Sequence, residues 1–147
     1  MKKGGNISVK NLTIKYGDKV AINDVSIELI EGKVTAFIGP SGCGKSTFLR
    51  AFNRMNDEII GASMEGDISW MGKQILSDEI DPVLLRRAVS MVFQKPNVFP
   101  ISIYENVAFG LRIQGENEPS NLDAALKHSL EDAAQWDEVK DRLYDDA

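Results

Sequence analysis

The sequence is poor in cysteine and histidine and contains no long apolar run. Its single cysteine, Cys43, excludes an internal disulfide and suits a reducing compartment. No run of apolar residues approaches the roughly 20 that a membrane-spanning helix needs, so we expect that the chain does not cross a bilayer. No apolar segment follows the two lysines near the N-terminus, so the sequence predicts no secretory signal.

The sequence also lacks an excess of positive charge. It has 17 basic and 22 acidic residues in a chain of 147, which gives a formal net charge of −5. This balance argues against a nucleic-acid partner held by a broad basic face. Hydrophobic residues make up 43% of the chain, which is enough for a globular domain with a buried core.

The most informative motif is a glycine-rich stretch that fits G-x-x-x-x-G-K-[S/T]. Glycines allow the backbone to approach an anion closely, and successive N–H groups at the start of a helix can then surround a phosphate. In this pattern the lysine reaches the β and γ phosphates of a nucleotide, and the following hydroxyl binds Mg²⁺. An ordinary glycine-rich turn between a strand and a helix is the alternative. The motif consists of Gly39, Pro40, Ser41, Gly42, Cys43, Gly44, Lys45, Ser46 and Thr47.

Periodicity predicts both strands and helices. Alternating apolar residues predict antiparallel strands before residue 30, with a bulge near Asn11, and again at residues 66–76 around a hairpin turn. Continuous apolar runs at residues 34–38 and 89–93 predict central strands covered on both faces. Helical spacing predicts helices after Gly44, from Pro82, from Ser102 and from Asn121.

Two further residues are candidates for a nucleotide site. Gln94 directly follows the second predicted buried strand, where an open α/β sheet presents its ligand-facing ends, and its amide oxygen can contact Mg²⁺ or an attacking water. A polar strand cap is the alternative for this residue. Tyr16 stands beside Gly17 in a predicted turn and can stack on a base, although a half-buried surface tyrosine is the commoner case.

Taken together, these motifs resemble the nucleotide-binding subunits of ATP-binding-cassette (ABC) transporters. The resemblance rests on Tyr16-Gly17, on residues 39–47 and on Phe93-Gln94-Lys95-Pro96 at their observed spacings. The stretch FQKPNVFPISIYENVAFG, residues 93–110, is more specifically similar to the ATP-binding subunits of bacterial and archaeal phosphate importers. Residues 37–50 and 52–56 share that likeness.

The resemblance implies a role for each motif. Tyr16 would stack on adenine, residues 39–47 would hold the phosphates of ATP, and Ser46 and Gln94 would contact Mg²⁺. Lys45 and Gln94 would be the catalytic residues. The segment from Lys95 to Gly110 would receive the permease, with exposed apolar residues as its docking surface: Val98, Phe99 and Ile101.

The resemblance also implies the fold class and the partners. The fold would be α/β, a P-loop NTPase of ABC type, with an antiparallel β subdomain (residues 1–33 and 66–76), a RecA-like core (34–56 and 77–94) and the start of a helical subdomain (95–147). The full-length subunit would dimerise at the cytoplasmic face of the membrane. It would couple ATP hydrolysis to phosphate import, and the phosphate-binding protein would be an indirect partner.

The sequence departs from the family pattern in lacking three later motifs. Neither the Ser-Gly-Gly-Gln stretch nor an apolar strand ending in Asp-Glu nor the switch histidine occurs before Ala147. We therefore expect a C-terminally truncated domain that alone binds nucleotide weakly at most and hydrolyses no ATP. His128 and the acidic residues near it are interpreted as a solvated face. The alternatives are a subunit of another importer, for an amino acid or oxyanion, and a non-catalytic fragment that binds only nucleotide or permease.

Overall fold

The computed structural model describes residues 5–95 and 97–147. The chain divides into two compact units, Met1–Val92 and Phe93–Ala147. Each unit has its own hydrophobic cluster, and each is described by itself below. The division falls two residues before the predicted start of the helical subdomain at residue 95.

The first unit is built on a four-stranded antiparallel sheet. The strands are β1 (Ile7–Tyr16), β2 (Lys19–Leu29), β3 (Ala62–Trp70) and β4 (Lys73–Gln74), in the order β2-β1-β3-β4. The register of β1 shifts between Val9 and Leu12 on the β2 side and between Lys10 and Thr13 on the β3 side. Asn11, which lies within both intervals, takes a positive φ of 50°. This irregularity confirms the bulge that the broken apolar alternation predicts.

Helices of the first unit pack on one face of this sheet. They are α1 (Lys45–Ala51), a 3₁₀ helix (Met55–Glu58) and α2 (Pro82–Ala88). The prediction that α1 reaches residues 53–56 is wrong, because Arg54 takes a left-handed conformation that ends the helical path. Prediction of α2 is confirmed: the Asp81 carboxylate accepts a hydrogen bond from the backbone N–H of Val83, and Pro82 occupies the first turn.

The buried cluster of this unit joins the sheet to the helices. Phe48 packs edge-on against both Phe37 and Phe52, with ring centroids 5.2 and 5.0 Å apart. The other fully or nearly fully buried apolar residues of the cluster are Val9, Leu12, Ile14, Ala51, Ile68, Ile75 and Leu85. This cluster fixes α1, and with it the loop before it, against the sheet.

The two predicted central strands do not form, and this part of the sequence prediction is wrong. Within the described residues, 34–38 and 89–93 have no strand assignment. Val34, Ile38 and Val92 are almost fully exposed, at 101%, 96% and 96%. A continuous apolar run becomes a buried strand only when neighbouring strands pair with it and helices cover it. The described residues provide no such pairing, so neither run becomes a strand.

The second unit is helical. It contains α3 (Ile103–Ile113), α4 (Pro119–Asp132) and α5 (Trp136–Val139). Its buried cluster has members from all three helices: Tyr104, Ala108, Leu122, Leu126, Leu130 and Val139. The predicted helices from Ser102 and near Asn121 are confirmed, and no helix in the described part of the chain is long and apolar enough to span a membrane.

Candidate functional site

The glycine-rich loop lies between the apolar segment at residues 34–38 and helix α1. Gly44 precedes the first helical residue with a φ of 95°, and its carbonyl accepts the hydrogen bond of Phe48 N at 2.8 Å. A Cβ at this position would lie 2.7 Å from the carbonyl oxygen of Ala21 and 2.6 Å from Cδ1 of Ile22. Only glycine therefore allows α1 to begin in contact with β2.

Lys45 is the first residue of α1, and its side chain folds back over the loop. Its Nζ donates to the carbonyl oxygens of Gly39 at 2.8 Å and Pro40 at 2.7 Å, and it lies 3.5 Å from Sγ of Cys43. The ammonium group is therefore held beside the backbone of the loop. Phosphate oxygens are stronger partners for this charge than neutral carbonyls, so a bound polyphosphate would compete for it.

Ser46 and Thr47 follow Lys45 in the first turn of α1. Ser46 is exposed and Thr47 is half-buried. Mg²⁺ usually keeps several waters and takes one or two protein oxygens together with substrate phosphates, so the exposed Ser46 hydroxyl fits a Mg²⁺ bound with a nucleotide. Among residues 5–95 and 97–147 there is no group of three or more His, Cys, Asp or Glu side chains that could hold a metal ion.

Tyr16 lies beside the same helix. Its hydroxyl is 3.3 Å from Oγ1 of Thr47 and donates to Oδ1 of Asn56 at 2.9 Å. The ring is half-buried, so part of it remains accessible. The structure thus brings two of the predicted site residues, Tyr16 and Thr47, into direct contact.

Asn56 is a residue of this site that the sequence analysis does not identify. It is fully buried, at 0% exposure, and lies in the 3₁₀ helix. Its Nδ2 donates to the carbonyl oxygen of Thr47 at 2.9 Å. The only signal in the sequence is an asparagine that follows an apolar helical face, which is too common to single out a buried residue.

Gln94 and the docking segment belong to the second unit. Gln94 is exposed, and its predicted contacts with Mg²⁺ and an attacking water stay predictions. Pro96 lies outside the described residues. Val98 and Phe99 are exposed as predicted, at 53% and 42%, whereas Ile101 is half-buried and does not belong to the exposed surface.

A second asparagine organises this docking segment. The side chain of Asn106 accepts from the backbone N–H of Phe99 at 2.9 Å and donates to the carbonyl oxygens of Phe99, Ile101 and Ser102 at 3.0 to 3.1 Å. The ring of Phe99 also contacts Phe109, with centroids 4.5 Å apart. The loop before α3 is therefore fixed to the helix by hydrogen bonds between the Asn106 side chain and the loop backbone and by the Phe99–Phe109 ring contact.

His128 and the acidic residues behave as a solvated face. His128 is exposed and its Nε2 lies 3.6 Å from Oδ2 of Asp132, one helical turn away. Lys140 pairs with Asp137 at 2.7 Å, and this pairing lowers the pKa of Asp137 and raises that of Lys140. These exposed pairs describe a charged helix surface.

Comparisons with known proteins identify the family. The sequence profile of the family described as ABC transporter matches residues 22–146. The chain is 53% identical over 141 residues to Phosphate import ATP-binding protein PstB 1 of Vibrio parahaemolyticus, and 54% identical over 141 residues to Phosphate import ATP-binding protein PstB of Shewanella denitrificans. Each match covers 96% of this chain and 52% of the relative.

A solved structure also shares the fold. It is a bacterial Atm1-family ABC exporter with ATP bound, with a TM-score of 0.77 and 24% identity, and the match covers 99% of this chain and 24% of the exporter chain. The present chain spans about half the length of the curated relatives it matches, so it carries a partial α/β domain of the ABC ATPase fold. From the family match and these relatives, the chain belongs to the ABC transporter family.

Proposed function

We propose that this chain binds ATP with Mg²⁺ as the nucleotide-binding part of a phosphate importer of the ABC type. The observation that carries the proposal is the loop of residues 39–47, in which Gly44 starts α1 against β2 and Lys45 lies over the loop backbone. The identity of 53 to 54% to phosphate import ATP-binding proteins supports phosphate as the cargo.

In this proposal the start of α1, two loop residues and two residues outside the loop each have a physical role. The backbone N–H groups at the start of α1 receive the phosphates, and Lys45 exchanges its carbonyl partners for the β and γ phosphates. Ser46 supplies an oxygen to Mg²⁺, which lowers the negative charge on the phosphates. Tyr16 offers the accessible part of its ring to adenine. Gln94 contacts Mg²⁺ and, in a complete subunit, the attacking water.

We further propose that the second unit docks a membrane permease. Val98, Phe99 and Phe109 are exposed at 53%, 42% and 37%, and Asn106 fixes the loop that carries two of them. A fixed apolar surface is suited to burying a partner helix, because little ordering entropy is lost on binding. In this proposal the protein acts at the cytoplasmic face of the membrane, paired with a second ATP-binding subunit, with the phosphate-binding protein as an indirect partner.

Hydrolysis needs groups that the 147 residues do not contain. Phosphoryl transfer to water depends on several parts that position the water and stabilise charge together. The sequence has the phosphate loop but no Ser-Gly-Gly-Gln stretch and no apolar strand that ends in Asp-Glu. We therefore propose that this chain binds ATP without turning it over by itself. Steady-state ATPase activity of the purified chain that Lys45→Ala abolishes would contradict this.

A chimera tests the transport function. Residues 1–147 replace the matched part of the Vibrio parahaemolyticus relative, and phosphate uptake is measured in cells that lack their own importer. We expect uptake to be restored by the chimera and to be lost in the same chimera with Lys45→Ala. A different result would be a folded chimera that binds ATP but supports uptake of an amino acid or of another oxyanion instead of phosphate. That result would contradict phosphate as the cargo and would leave the proposed nucleotide site unaffected.

A further inference from the structure

Asn56 is the most completely buried polar side chain among the described residues of the first unit. Its exposure is 0%, and the sheet residue Met64 lies against it, with Sδ 3.6 Å from Nδ2. A buried amide is stable only when its oxygen and its nitrogen both find partners, because each unpaired group keeps its full desolvation cost. The partners of Asn56 therefore show what its presence in the core achieves.

Those partners belong to two different parts of the proposed nucleotide site. Oδ1 accepts the hydroxyl of Tyr16 at 2.9 Å, and Nδ2 donates to the carbonyl oxygen of Thr47 at 2.9 Å. Tyr16 is the last residue of β1, whereas Thr47 lies in the first turn of α1, directly after the lysine and serine of the loop. The amide of Asn56 thus bridges the end of a strand and the helix that carries the phosphate loop.

The chemistry of the bridge requires an amide. Aspartate has no donor for the carbonyl oxygen of Thr47, and leucine has neither donor nor acceptor. The hydroxyl of Tyr16 also lies 3.3 Å from Oγ1 of Thr47, so the far end of the ring is held at two points. With the hydroxyl anchored in this way and the ring half-buried, the orientation of the ring relative to α1 is fixed before any ligand arrives.

We propose that Asn56 is a positioning residue for nucleotide binding. It holds the ring of Tyr16 at a set distance from the phosphate loop, so that the base and the phosphates of one nucleotide meet their sites together. The inference rests on the proposed function, because it assigns the ring of Tyr16 to the base and residues 39–47 to the phosphates. It predicts that Asn56 affects ligands that have a base and not ligands that consist of phosphates alone.

The experiment compares ATP with inorganic tripolyphosphate, each with Mg²⁺, by calorimetric titration of the 147-residue chain. Asn56→Ala and Tyr16→Phe each remove the hydrogen bond between the two side chains, and Tyr16→Phe does so without emptying the core. We expect each variant to weaken ATP binding about fivefold, which corresponds to the loss of one hydrogen bond, and to leave the dissociation constant for tripolyphosphate unchanged. The double variant should bind ATP no more weakly than the single variants do.

Asn53→Ala is the matched control. Asn53 is also buried, at 4% exposure, but its Oδ1 accepts from the nearby backbone N–H of Met55. We expect this variant to leave the ratio of the two dissociation constants at the wild-type value. If Asn56→Ala fails to fold, Tyr16→Phe still decides the question, because the aromatic ring and the core volume are retained.

Two results would overturn the inference while the proposed function stands. One is an equal loss of affinity for ATP and for tripolyphosphate in both variants. The other is unchanged affinity for ATP in both variants, although ATP binding to the wild-type chain depends on Lys45. The first would make Asn56 a purely structural residue. A wild-type chain that binds neither ligand would contradict the proposed function as well as the inference.

Discussion

Single residues determine the shape of the loop at residues 39–47, and the motif makes most of them predictable. Gly44 is an example, because its positive φ and its contact with Ala21 both exclude a side chain. Lys45 and Ser46 are predictable because they follow Gly44 directly in the motif, and the pattern of residue types is local in sequence. Asn56 is not predictable in this way, because its role depends on Tyr16, 40 residues earlier in the chain.

Gly44→Ala tests the requirement for glycine. We expect loss of measurable MgATP binding and destabilisation beyond the roughly 1–2 kcal/mol that a left-handed alanine costs, because the new Cβ would meet backbone at 2.7 Å. Urea unfolding and calorimetric titration measure the two effects. Gly72→Ala is the control, since Gly72 also has a positive φ, 75°, but an added Cβ there meets nothing within 4 Å. Equal effects of the two substitutions on ATP binding would contradict the assignment.

At the scale of elements, the predictions succeed where the signals are local. The signals for the bulge in β1, for Asp81 and Pro82 at the start of α2, and for the start of α3 after Ser102 all lie in adjacent residues. The prediction of central strands at residues 34–38 and 89–93 is wrong, because the burial of a strand depends on neighbouring strands and helices from elsewhere in the chain. Their apolar composition is correctly identified, whereas the pairing that it anticipates is not formed within the described residues.

Asn106→Ala tests the ordering of the docking segment. The substitution removes the acceptor for the backbone N–H of Phe99 and the donor to three carbonyl oxygens. We expect the Phe99 amide to exchange with solvent at least about tenfold faster, because its protecting hydrogen bond is gone. Hydrogen exchange measured by NMR reports this directly. Asn117→Ala is the control, since Asn117 bonds only to the nearby Gly115 carbonyl among the described contacts. Unchanged exchange of the Phe99 amide in Asn106→Ala would show that the Asn106 side chain does not order this loop.

Glu116 is the carboxylate through which we expect the stability of the second unit to depend on pH. Its carboxylate accepts hydrogen bonds from the backbone N–H of Glu118 at 2.9 Å and from the Asn121 side chain at 3.1 Å, just before and within the first turn of α4, and these bonds lower its pKa. A lowered folded-state pKa gives stability that is present above the unfolded value and is lost as pH falls through the folded value. We expect the thermal unfolding of the chain, followed by circular dichroism, to shift to lower temperature as pH falls below 4.5, the ordinary value for glutamate. Glu116→Gln should reduce that shift, and an identical pH dependence in the variant would exclude this carboxylate as its source.

At the scale of the whole molecule, the exposed apolar residues of the first unit are its most unusual feature. Val34, Ile38 and Val92 are almost fully exposed, and an open cleft of about 380 Å³ beside the loop is lined by Ile22 and Phe37 among others. The chain spans about half the length of its curated relatives, and we propose that segments present in them cover this surface.

An apolar fluorescent dye tests this proposal. We expect the 147-residue chain to bind the dye and to unfold with low cooperativity, because the surface around residues 34–38 and 89–93 stays open to solvent. The chimera completed with the second half of the Vibrio relative should bind markedly less dye. Cooperative unfolding of a monomeric 147-residue chain without dye binding would show that the apolar surface is already covered.

Equilibrium binding of MgATP to the 147-residue chain is the most direct test of the proposed site at residues 39–47. The account predicts saturable binding at one site and a loss of at least about tenfold in affinity for Lys45→Ala, because a charge-assisted contact to the phosphates is removed. Lys33→Ala, which makes the same change of charge at an exposed turn residue outside the loop, should bind as the wild type does. Equal affinity in the wild type and Lys45→Ala, or no binding by a folded wild-type chain, would contradict it.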